Sequence, residues 1–142
     1  MNKRIRNQRG AALLETAITL PLVLAVCVAI FEFGRAYQTW QVLTNAAREG
    51  ARIAVLSATT DAQVQSAVRN YMQSGALPAH ATATVTVDRN VPFGSDTASQ
   101  ITVSYPFNFV VLNPVMRLLN GGSTAGQGVT MMSSTALMRN EG

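Results

Sequence analysis

From position 11 the chain reads Ala-Ala-Leu-Leu-Glu-Thr-Ala-Ile-Thr-Leu-Pro, and then runs for ten residues, Leu22 to Phe31, without a polar side chain. As one helix, residues 11 to 31 reach roughly 31 Å, the thickness of a bilayer's hydrocarbon core. Helical periodicity continues beyond the apolar run. Leu43, Ala46, Ala47, Gly50, Ala51 and Ala54 recur at the spacing of one helix face. Small residues on that face allow close approach of another element, either the chain's own sheet or a partner helix. An unbroken helix over 11–56 spans roughly 69 Å, half in lipid and half out.

A second helix is predicted after a Thr59-Thr60-Asp61 cap, with Val64, Ala67, Val68, Tyr71 and Met72 as its core stripe. It stops at Gly75, with Pro78 beyond. Further on the period changes. In Thr82-Ala83-Thr84-Val85-Thr86-Val87-Asp88 apolar residues alternate with Thr and Asp, as on a strand buried on one face. Ile101 to Tyr105 repeats the pattern, with Phe107 and Phe109 as a possible extension, and Val129 to Met138 is a third, less regular strand candidate. Asn90 to Gln100, with Pro92, Gly94 and Ser95, reads as a hairpin loop. Val110 to Leu119 reads as a loop with a short helical turn covering the sheet, followed by a flexible tract from Gly121 to Gly128. The expected fold is α+β: a long N-terminal helix, transmembrane then stalk, packed on a small antiparallel sheet with one additional helix. The division is a basic leader (1–10), a transmembrane and stalk helix (11–56) and an α+β head (57–142).

Charge sharpens the membrane reading. Of the 11 basic residues, Lys3, Arg4, Arg6 and Arg9 precede the apolar run, and the other seven, all Arg, balance seven acids. This is a basic tag on a neutral body, which argues against nucleic acid and, by the positive-inside rule, places the N-terminus in the cytoplasm and the head outside it. Two other readings of the run stay open, a cleaved secretory signal and a buried core helix. No Ala-x-Ala-like site follows the run, and its length is long for a core helix. The single cysteine, Cys27, reads as a small buried hydrophobe. Pro21 removes a bond to the carbonyl of Ala17, which the hydroxyls of Thr16 or Thr19 could resatisfy. Glu32 with Arg35, and Glu49 with Arg52, stand at i,i+3 and can pair.

Glu15 is the exception inside the run. A charged side chain at the middle of a membrane helix costs roughly 2.5–3.5 kcal/mol, and no Lys, Arg or His occurs between positions 10 and 34 to offset it. A cut after Gly10 would create one: the new α-ammonium on Ala11 would stand one helical turn from Glu15. Convergent catalytic chemistry is not evident. His80, the one histidine, lies between two alanines, and no Cys-x-x-Cys, phosphate-binding glycine loop or Gly-x-Ser-x-Gly occurs. Asp88 and Asp96 are explained by turn chemistry rather than a calcium site. No cofactor, metal or small-molecule substrate is expected, and the chain reads as a substrate of processing rather than an enzyme.

The order of basic leader, Gly10, four apolar residues, Glu15 and a long apolar helix resembles the type IV prepilin class. More narrowly, the stretch from Arg9 to Leu22, with Phe33-Gly34-Arg35-Ala36-Tyr37 and Asn45-Ala46-Ala47-Arg48-Glu49-Gly50-Ala51-Arg52, is similar to the TadE-like family; the closing stretch Ala136 to Glu141 has the same character. Thr16 stands where Flp-type prepilins usually carry Tyr or Phe. The resemblance implies a minor pseudopilin of a Tad (Flp) pilus in the bacterial inner membrane, with adhesion, biofilm or secretion as its setting. A prepilin peptidase would cut between Gly10 and Ala11. Glu15 would be the assembly charge that meets the N-terminal amine of a neighbouring pilin subunit, and Ala46, Ala47, Gly50, Ala51 and Ala54 a helix-packing face. The other reading is an uncleaved single-pass scaffold or binding module.

Overall fold

The structure, a computed structural model, describes residues 3–56, 58–119 and 129–140. Met1, Asn2, the Gly121–Gly128 tract and Glu141 lie outside the described residues. Helix α1 runs from Lys3 to Ala54. At 52 residues it is roughly 78 Å long. It therefore begins within the basic leader instead of at Ala11, and ends two residues short of 56. Pro21 lies inside it without ending it. The hydroxyl of Thr16 donates to the carbonyl of Ala12, and that of Thr19 to Glu15 and Thr16, so neither serves the carbonyl of Ala17 as expected.

Helix α2, Asp61–Ser74, starts on a reciprocal cap: the Gln63 amide donates to the Thr60 hydroxyl, and the Gln63 side chain accepts from the Thr60 amide. Val64, Val68 and Met72 are buried, whereas Tyr71, expected in the core, is exposed. At the other end the left-handed residue is Ala76 (φ 57°), not Gly75. Gly75 serves a different need. A Cβ there would come within 2.5 Å of Val42 on α1.

The sheet is antiparallel, in the order β1 (Thr84–Phe93), β2 (Asp96–Phe107), β3 (Thr130–Arg139). Thr82, expected in the first strand, belongs to a short 3-10 turn, His80–Thr82. Asn90 to Gln100 is no open loop. The strands run through it to a two-residue turn, with Phe93 paired to Asp96 and a bulge between Asp88 and Val91. Gly94 supplies the positive φ (64°) that the first position of a II′ hairpin turn requires. The alternation read in the sequence is real. Val85, Ile101, Val103, Tyr105 and Phe107 point to the core while Thr84, Thr86 and Asp88 are exposed.

One face of this sheet is covered by α1 and α2. Leu43, Ala46, Ala47, Ala51 and Ala54 of α1 join Val64, Val68 and Met72 of α2 and the inward residues of β1 and β2 in a single core. Close approach has a specific requirement at Gly50, where a Cβ would fall 2.5 Å from Val68 and 3.2 Å from Ile101. The segment after β2 differs from its reading as a cover for the sheet. It forms α3, Leu112–Leu119, seated beside the lower half of α1.

Candidate functional site

The functional features concentrate on α1, and the helix is divided by its surroundings. Its upper half is the spine of the head. Below Phe31 it stands bare: Leu13 is 72% exposed, Ile18 67% and Ile30 69%. It is long and apolar enough to cross a membrane, and no residue of its most apolar window is buried. Each large apolar side chain left in water forgoes roughly 1.5–3 kcal/mol of burial, so this surface calls for lipid or other apolar helices. Cys27 belongs to the same surface: it is exposed, where a buried position was expected, because it stands on a side of the helix that α3 does not line.

Gly10, Ala11 and Glu15 share this bare end. Gly10 is helical, and nothing lies within 4 Å of the position its Cβ would occupy. A glycine within a helix costs roughly 1 kcal/mol against alanine, which makes Gly10 one of the weak points of α1, beside Pro21. Glu15 is exposed, and among the described residues its carboxylate has no ion pair. Ala11 and Glu15 stand at i,i+4, on one face a turn apart.

The other acids of α1 behave differently. Glu32, at the top of the bare stretch, is only 2% exposed. Its carboxylate accepts from the backbone N–H of Val111, just before α3, and pairs with Arg35 at 3.2 Å. The Arg35 guanidinium in turn lies 5.4 Å from the ring centre of Phe107 and 6.0 Å from that of Phe31. The i,i+3 spacing announced the Glu32–Arg35 pair. The Val111 contact bridges 79 positions and had no local signal. Glu49 and Arg52 also pair, at 3.6 Å on the solvated side. Ala46, Ala47, Gly50, Ala51 and Ala54 are placed against the chain's own α2 and sheet.

Away from α1, His80 contacts the carbonyl of Leu77 through Nδ1 at 2.9 Å. Asp88 accepts from the amide of Asn90 inside the bulge, and Asp96 pairs with Arg139 at 3.4 Å. Among the described residues no three His, Cys, Asp or Glu side chains converge. Two polar clamps escaped the sequence reading. Arg89 pairs with Asp61 at 2.8 Å and donates to the carbonyls of Ala54 (2.7 Å) and Thr59 (2.9 Å), closing the end of α1 onto the start of α2. Asn140 accepts from Ser99 at 2.7 Å and donates to the carbonyl of Arg89, tying the end of β3 to the other strands.

No curated protein and no solved structure matches the chain. Residues 10–52, which take in Gly10, Glu15, the bare stretch and most of the packed stretch of α1, match the family model described as TadE-like protein, so this part of the chain is similar to that family.

Proposed function

We propose that this chain is a minor pseudopilin of a Tad-type pilus: a membrane-inserted subunit, trimmed after Gly10 by a prepilin peptidase, that joins other pilin subunits through its N-terminal helix. The observation that carries the reading is the pairing of a bare apolar helix with an acid, Glu15, that has no ion pair among the described residues and lies five positions after Gly10 in the matched stretch. Removal of the leader would take away Lys3, Arg4, Arg6 and Arg9 and put an ammonium on Ala11. Within one chain that charge lies a turn below Glu15; in a staggered neighbour it can meet Glu15 directly, where low dielectric strengthens the attraction. Such a pair would set the register of one subunit on the next. The folded head, absent from a simple helical subunit, suits a minor or initiating position better than the bulk of a filament.

Processing is tested by co-expressing the chain with a prepilin peptidase and measuring intact mass. Loss of residues 1–10, sharply reduced in Gly10→Ala, is the expected result. A protein that keeps its leader in the presence of an active peptidase would instead support the uncleaved membrane-anchored scaffold, a reading favoured by the unbroken helix through Gly10.

A further inference from the structure

Between α3 and the bare half of α1 runs a groove of about 460 Å³, within the range of roughly 300–1,000 Å³ typical of small-ligand pockets. Leu24, Val28 and Phe33 line it on α1, and Phe109, Leu112 and Val115 line it opposite. It extends from Pro21 to Phe33, roughly 18 Å of helix. Glu32, the one charged lining residue among the described residues, is already engaged by Val111 and Arg35, so the groove offers a polar ligand little to bind. Helix α3 is two-sided: Leu112 and Val115 face the groove, while Asn113 and Arg117 stand a turn apart on another side. Leu112 (44% exposed) and Val115 (40%) are only partly covered by the chain itself.

We propose that this groove is an acyl-chain site, filled by a phospholipid of the leaflet on the head side, with α3 lying at that leaflet's boundary as a second membrane contact. The inference rests on the membrane reading of α1. Its particular support is continuity: one wall of the groove is the same apolar helix that the bilayer would surround, so the material adjoining it at that depth is hydrocarbon. Interfacial helices bury one apolar face about 5–10 Å into the boundary between headgroups and chains, with polar residues on the other side. Glu32 fits this placement because its charge is covered where the head meets the membrane. The head would thereby be held at a fixed tilt on the bilayer, where a free stalk would let it swing.

The test places a reporter in a Trp40→Phe background, which removes the single native tryptophan. The full chain is reconstituted in phosphatidylcholine–phosphatidylglycerol vesicles with Leu112→Trp or Val115→Trp in the groove and Leu22→Trp on the span as control. Quenching by chain-brominated phosphatidylcholine is compared with quenching by aqueous acrylamide. The expected result is that brominated lipid quenches the groove reporters as it does Leu22→Trp, and acrylamide reaches neither. Acrylamide quenching of the groove reporters beside a lipid-quenched Leu22→Trp would overturn the acyl-chain site and leave the membrane span standing. Shielding of the groove reporters from both quenchers would overturn it in favour of a second copy's helix. If Leu22→Trp itself escaped brominated lipid, the membrane reading would fall, and the site with it.

Discussion

At the scale of single residues, the head is held by side chains whose work depends on partners far away in sequence. Arg89 is the clearest case, because it satisfies the last carbonyl of α1 and the approach to α2 at once. Arg89→Ala should destabilise the head by about 2 kcal/mol, since hydrogen bonds to a charged group contribute roughly 1.5–3 kcal/mol and the exposed Asp61 adds little. Chemical denaturation in detergent micelles would measure it. Ala76 offers the opposite sign. An L-residue held at φ 57° is strained, so Ala76→Gly should raise stability by roughly 0.5–1 kcal/mol in the same measurement. Neither residue was legible beforehand. Helix α2 does stop at Gly75, its C-cap, as the sequence indicates, but the glycine is needed there for close approach to Val42, and the left-handed residue is the alanine after it.

Whole elements were read more reliably where their period was carried by local chemistry. The Thr60 cap, the Val64–Val68–Met72 stripe and the Thr–Val alternation of β1 each state their own structure. The reading failed where a distant partner decides the outcome. The polar, proline-containing stretch from Asn90 to Gln100 has loop composition, yet pairing along β2 and a bulge draw it into the hairpin. Pro92 is tolerated there because β1 is an edge strand. Likewise α3 has a face that could cover a sheet, and the Val111 bond to Glu32 together with the groove shared with α1 shows that it lies beside α1 instead. That bond can be tested alone. Glu32→Ala should increase hydrogen exchange at the Val111 amide and at α3, leaving β1 and β2 protected. Unchanged exchange at Val111 would show that α3 is held by other contacts.

For the molecule as a whole, the α+β head and the long apolar helix were both evident, because burial pattern and hydropathy are properties of composition along the chain. The candidate site was partly so. Glu15 stood out by lacking a cation within reach, whereas the burial of Glu32 needed the fold. The small-residue face was open to two partners in the sequence, and the fold places it on the chain's own head. Under the proposed assembly role, that leaves the bare lower half of α1, where Glu15 lies, as the surface for lateral association.

That makes Glu15 the place to test the account. Wild type, Glu15→Gln and Glu15→Ala, each co-expressed with a prepilin peptidase and Tad-type pilin subunits, can be compared for membrane insertion and for recovery of those subunits with the purified chain. Both variants are predicted to insert at least as well as wild type, since each removes a charge that costs roughly 2.5–3.5 kcal/mol in the membrane, and both should recover markedly less of the partners. Full recovery by Glu15→Ala would contradict the claim that this carboxylate meets an incoming amine during assembly.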